Sequence, residues 1–181
     1  MFPLNVPNVL TLVRILLVPV LVVALLDETP NGDLFAAIVF AIASLTDFVD
    51  GWIARSRNAV TTFGKLMDPV ADKLLIIAAL FSLVSLDRLA PWIAMVIVAR
   101  EFAVSGLRMI AASTEVIAAN RLGKLKTLSQ MVAILALMLN THHDAVNDVL
   151  VGIAVVLTLA SAVQYFYAAR GHLVGAAGDP S

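Results

Sequence analysis

Six apolar runs, 9–26, 34–46, 74–86, 91–112, 127–139 and 149–168, alternate with short polar turns along the chain. A helix that crosses a bilayer needs roughly 20 mostly apolar residues. The second, third and fifth runs fall short of that alone and reach it only when flanking polar residues belong to the same helices. The pattern therefore predicts an all-α integral membrane protein of six transmembrane helices, some of which carry polar residues inward from one membrane face. The first run has no basic start, and it ends in Ala24, Leu25, Leu26 and Asp27, which is no small-residue cleavage site. It reads as a mature helix and not as a signal sequence.

Composition agrees with lipid as the main solvent. Hydrophobic residues make up 61% of the 181 and charged ones 14%, with mean hydropathy +0.96, against about 45–50% and about 25% in soluble domains. The net charge of -1 gives no reason to expect nucleic acid as a partner. The absence of cysteine excludes disulfides, thiolate nucleophiles and thiolate metal sites, so any metal must be held by oxygen or imidazole. Residues 1–170 read as one catalytic transmembrane domain and 171–181 as a flexible C-terminal tail.

Lysine and arginine favour cytoplasmic loops. The turns at 27–33 and 140–148 contain neither, and the turn at 87–90 contains only Arg88. The other eleven of the twelve fall on the opposite side, which places both termini in the cytoplasm. His142 and His143 sit in an outer turn and His172 in the tail, where they read as solvated residues.

Ionisable groups in a membrane are costly and usually functional, and here they cluster. Asp47, Asp50, Gly51 and Ala54 recur at i, i+3, i+4 and i+7, which is one helical face. Gly64, Asp68 and Asp72 follow at four-residue spacing and form a second stripe. Four carboxylates at the edge of a low-dielectric slab repel one another unless a cation holds them. All-oxygen ligation favours a hard ion such as Mg²⁺, Mn²⁺ or Ca²⁺ over zinc, and a pair of such ions is a recurring device for displacement at phosphorus. Gly51, Ala54 and Gly64 leave room for a ligand to approach the backbone. Arg55 lies one residue beyond the small-residue face, where a guanidinium reaches a phosphate. The bland alternative is helix capping, or pairing with Arg55, Arg57, Lys65 and Lys73.

The frame Asp47-x2-Asp50-Gly51-x2-Ala54-Arg55-x8-Gly64-x3-Asp68-x3-Asp72 resembles, with all eight positions filled, the signature of the CDP-alcohol phosphotransferases. The resemblance implies six transmembrane helices, a homodimer, and two divalent cations, Mg²⁺ or Mn²⁺, at the cytoplasmic face. It also implies Asp47, Asp50, Asp68 and Asp72 as metal ligands, with Asp72 as the base that deprotonates the acceptor. Asp47, Gly51, Ala54, Arg55 and Gly64 match the positions that receive the CDP-lipid.

Three further stretches bear on the acceptor. Asn5, Asn8, Thr11 and Arg14 recur every third residue into the first run. Arg100, Glu101, Ser105 and Arg108 lie on the fourth, with Glu101 and Ser105 on one face. Gly123, Lys124, Lys126 and Gln130 open the fifth, where a helix start favours an anion. Together Arg14, Arg100, Arg108, Lys124 and Lys126 form a basic wall suited to a phosphorylated acceptor, with Asn8, Thr11, Glu101 and Ser105 in support. An ion pair of Arg100 with Glu101 or Glu115 is the structural alternative. The stretches at 100–108 and 123–130 also resemble those of bacterial family members that use glycerol 3-phosphate. The resemblance implies an enzyme of the bacterial inner membrane with CDP-diacylglycerol as donor and glycerol 3-phosphate as acceptor. Phosphatidylglycerol or inositol phosphate remain as other acceptors, and a metal-ion transporter is the remote alternative from another class.

Overall fold

A computed structural model describes residues 6–27, 29–57, 62–111, 121–140 and 144–176. For 6–8, 47–57, 62–69, 72, 108–111, 121 and 168–176 it describes the backbone alone. The described residues form six helices: α1 Val6–Leu26, α2 Gly32–Arg57, α3 Thr62–Ser85, α4 Pro91–Ala111, α5 Arg121–Leu139 and α6 Ala145–Ala176. Each matches one of the six apolar runs, to within one residue at the C-terminal ends of α3 and α4. Among the described residues, three windows are long and apolar enough to cross a membrane: Val9–Leu26, Leu122–Leu139 and Ala145–Tyr167. Two helices hold shorter apolar segments, Gly32–Thr46 in α2 and Lys73–Ser85 in α3.

The short runs are completed by polar residues, as their length requires. At 1.5 Å per residue the 26 residues of α2 rise about 39 Å, more than the roughly 30 Å of a hydrocarbon slab. Its surplus is the acidic segment after Thr46. α3 mirrors this, with its acidic segment ahead of Lys73. α6 continues through Ala176, six residues past the boundary expected at 170, and includes the backbone of His172. Residues 177–181, His142 and His143 lie outside the described residues.

The chain divides into two compact units, Met1–Ala90 with Ile134–His143 and Pro91–Ala133 with Asp144–Ser181. In the first, α1 packs on both α2 and α3, and α2 packs on α3. One stripe of α1, Thr11, Arg14, Leu21, Ala24 and Leu25, is buried. The helices it packs on bury small residues, Ala36, Ala37 and Ala43 of α2 and Ala71 and Ala79 of α3, all at most 4% exposed. Small side chains let helix backbones approach closely where lipid supplies no hydrophobic drive. Leu12, Leu16 and Val23, on other faces of α1, are exposed, as suits a surface that meets acyl chains.

The turns of this unit are fixed by local chemistry. Gly32 opens α2 where a Cβ would lie 2.6 Å from the Ala24 carbonyl oxygen and 2.9 Å from that of Asp27, so only glycine fits. α3 ends in a Schellman motif. Asp87 takes the left-handed conformation at φ 56°, its N–H donates to the Val84 carbonyl and that of Arg88 to the Leu83 carbonyl, which satisfies carbonyls the helix leaves open. Arg88 then donates to both carboxylate oxygens of Asp33, at 2.7 and 2.9 Å. The single arginine of the expected outer side is thus neutralised by the first turn of α2, where a carboxylate also complements the helix dipole.

In the second unit α4 packs on α6. Asn147, Ala154, Thr158, Ser161 and Tyr165 form one buried stripe of α6, and Ala94, Ile97 and Val104 are buried on α4. Asp144 caps α6, its Oδ1 accepting the N–H groups of Val146 and Asn147.

Candidate active site

The aspartate frame occupies the facing ends of two adjacent helices. α2 carries Asp47, Asp50, Gly51, Ala54 and Arg55 in its last eleven residues, and α3 carries Gly64, Asp68 and Asp72 in its first eleven. The apolar segments lie on the far side of each acidic segment. Because α2 packs on α3 and the two are joined by four residues, 58–61, they run antiparallel and the acidic segments share one end. At about 100° per residue, Asp47, Asp50, Gly51 and Ala54 span an arc of about 100°, and Gly64, Asp68 and Asp72 one of about 80°. Each helix presents a single carboxylate stripe interleaved with small residues.

The side chains of these residues, and of Asn8 and Arg108, lie outside the described residues. Among the described residues no group of three acidic, histidine or cysteine side chains could hold a metal ion. The donor set of the frame fits a hard divalent cation by its chemistry: carboxylates on two packed helices, with no thiol in the chain and no histidine on either helix.

Arg14 is the described side chain nearest in sequence logic to that frame. It is 1% exposed, and its Nε donates to the Ala43 carbonyl oxygen at 3.3 Å. Thr46 Oγ1 donates to the same oxygen at 2.8 Å. Ala43 lies one turn before Asp47, so α1 brings a buried positive charge beside the start of the α2 carboxylate stripe. Thr11, one turn earlier on α1, is 2% exposed and shares that face.

The second unit gathers part of the basic wall. Arg100 donates to Glu101 Oε1 at 3.4 Å and to Ser161 Oγ at 2.5 Å. Lys126 donates to the same Glu101 oxygen. Gln130, one turn on from Lys126, donates to Thr158 Oγ1 at 2.9 Å. These contacts tie α4, α5 and α6 through side chains that are all largely buried. Two buried atoms here have no hydrogen-bond partner among the described residues, Arg100 Nε and Gln130 Oε1. Lys124, two residues from Lys126 and about 200° around α5, is exposed, and Ser105 is half-buried. Glu115, the other expected partner of Arg100, lies outside the described residues.

The sequence reading missed α6 as a contributor. Thr158 and Ser161 were hidden inside an apolar run. Two hydroxyls at i, i+3 on one face of a span, opposite a cation of α4, were the signal that could have found them.

Comparison with known proteins bears on the whole chain. Residues 4–160 match the family model of the CDP-alcohol phosphatidyltransferases. A protein of Bacillus subtilis named CDP-diacylglycerol--glycerol-3-phosphate 3-phosphatidyltransferase is 46% identical over 180 residues, covering 90% of this chain and 93% of its own. Proteins of the same name from Rickettsia felis and Salmonella choleraesuis are 40% and 39% identical, covering 92% and 94% of this chain and 96% and 97% of their own. With the complete aspartate frame on two packed helices and a match of this extent, the chain belongs to the CDP-alcohol phosphatidyltransferase family.

Proposed function

We propose that this protein transfers the phosphatidyl group of CDP-diacylglycerol to sn-glycerol 3-phosphate, giving phosphatidylglycerophosphate and CMP. One observation carries the reading: the eight-position frame lies at the shared end of α2 and α3 in a chain similar, along nearly its whole length, to relatives that bear that enzyme's name.

Asp47, Asp50, Asp68 and Asp72 hold two divalent cations, Mg²⁺ or Mn²⁺, which supply charge neutralisation for a pyrophosphate donor. Gly51, Ala54 and Gly64 keep the helix faces open to the CDP moiety, and Arg55 reaches a donor phosphate. Asp72 accepts the proton of the acceptor hydroxyl. The hydroxyl oxygen attacks the lipid-side phosphorus in line, the bond from that phosphorus to the bridging oxygen breaks, and CMP leaves with it. No residue forms a covalent intermediate. Arg14, expected in the acceptor wall, is read instead as a fixed charge beside the aspartates, because its Nε donates to the Ala43 carbonyl, with Asn8 and Thr11 on the same helix. Arg100, Arg108, Lys124 and Lys126 receive the acceptor's phosphate. The protein acts as a homodimer of six-span subunits in the bacterial inner membrane, with both termini and the aspartates cytoplasmic and the lipid tails entering between helices.

The test is turnover of radiolabelled CDP-diacylglycerol by purified protein in detergent with a panel of acceptors. Glycerol 3-phosphate should be used at least about a hundredfold better than glycerol, since charge-assisted bonds to phosphate are lost in the latter. Preference for inositol phosphate or phosphatidylglycerol would keep the family and overturn the acceptor.

A further inference from the structure

We propose that Glu101 is a resident anion of the acceptor site, occupying the cationic centre in place of the substrate phosphate and ceding it on binding, so that this carboxylate sets how tightly phosphorylated acceptors bind. The inference rests on the reading of Arg100 and Lys126 as acceptor-phosphate residues.

Three observations carry it. Arg100 and Lys126, from different helices, donate to the same oxygen, Glu101 Oε1. Two cations converging on one oxygen is the arrangement a phosphate oxygen would meet. Next, the guanidinium of Arg100 is under-used. Its contact with Glu101 is long at 3.4 Å, its buried Nε donates to nothing among the described residues, and only the bond to Ser161 is short. A guanidinium has five N–H donors in a planar fork, and a tetrahedral phosphate with three oxygens could accept more of them than one carboxylate oxygen does. Finally, the burial is graded. The side chains of Lys126 and Arg100 are 4% and 8% exposed and that of Glu101 16%. The carboxylate is the member of the trio with most freedom to leave, while Ser161, 1% exposed, keeps Arg100 in place.

The physical sense of such an arrangement is exchange. Two bare cations among apolar helices would be costly to hold ready. Glu101 bonds to both in the empty site and is repelled by the arriving phosphate, because like charges brought together repel. The affinity for acceptor is then deliberately below what the two cations alone would give.

Glu101→Gln keeps the shape and removes the competing charge. It should lower the Michaelis constant for glycerol 3-phosphate by about tenfold, equivalent to about 1.4 kcal/mol, and leave that for CDP-diacylglycerol within twofold. Inorganic phosphate should become a stronger competitor of glycerol 3-phosphate by a similar factor. Glu101→Asp withdraws the carboxylate by one methylene and should shift the same constants in the same direction by less. A raised or unchanged constant for glycerol 3-phosphate in folded Glu101→Gln would overturn the proposal. So would loss of folded protein in both variants, which would make Glu101 a structural ion-pair partner. If the wild-type protein did not use glycerol 3-phosphate, the functional reading would fail instead, and phosphate competition against the acceptor in use would still decide the role of Glu101.

Discussion

Arg14 and Arg100 are both guanidiniums set among apolar helices, and the bonds described for them differ in kind. Arg14, in the first unit, lies against a backbone carbonyl of α2, a partner that cannot leave without unwinding the helix. Arg100, in the second, is held by side chains, a carboxylate and a hydroxyl, which can change rotamer at modest cost. A cation on a backbone partner is a fixed part of the scaffold. A cation on a mobile carboxylate can trade that partner for another anion. On the proposed reading, the difference separates a charge that supports the aspartate end of α2 from charges that receive a substrate.

The largest effect should come from the frame itself. Asp47→Asn, Asp50→Asn or Asp68→Asn removes one ligand charge with nearly unchanged shape, and turnover should fall by roughly a thousandfold or more while the thermal unfolding midpoint holds, as expected when preorganised charge at a reacting phosphoryl group is lost. Asp72→Asn should lose turnover to the same degree but retain CDP-lipid binding in a filtration assay. Near-normal turnover in any of these variants would remove that residue from its assigned role.

A second, smaller effect tests the fixed cation. Arg14→Gln replaces a charged hydrogen-bond donor in a fully buried place, and should destabilise the protein by about 2–3 kcal/mol, read by unfolding in detergent. Its residual activity should show no selective rise in the acceptor constant. A selective rise with unchanged stability would move Arg14 from the scaffold to the acceptor site and erase the contrast with Arg100.

Much of this was legible in the sequence, for reasons that can be named. Helical periodicity put Asp47, Asp50, Gly51 and Ala54 on one face, and the shortness of the runs at 34–46 and 74–86 required the acidic segments to continue α2 and α3. Both inferences use spacing of a few residues. The contacts that did not show in the sequence join residues 28 to 61 apart: Arg14 with Ala43, Arg88 with Asp33, Arg100 with Ser161, Gln130 with Thr158. No periodicity encodes them. Ser161 and Thr158 were further masked by apolar neighbours, and the left-handed Asp87 by the usual preference for glycine there.

The Arg88–Asp33 pair is the smallest test. The side chains of Arg88 and Asp33 are 17% and 33% exposed, so their bidentate bond is only partly shielded from solvent. A double-mutant cycle with Arg88→Gln and Asp33→Asn should give a coupling of about 1 kcal/mol in unfolding stability, reduced at high salt, with no effect on either Michaelis constant. A change in turnover beyond the stability loss would mean that this clamp also sets the register of the aspartate stripes.

The division between scaffold charge and substrate charge is tested most directly by steady-state kinetics of Lys126→Gln, with both substrates varied in the same preparation. Charge-assisted bonds to a buried phosphate are worth roughly 1.5–3 kcal/mol, so the Michaelis constant for glycerol 3-phosphate should rise about tenfold to a hundredfold while that for CDP-diacylglycerol stays within twofold. An equal rise in both would place Lys126 in the fold or the nucleotide site and contradict the assignment of the second unit to the acceptor.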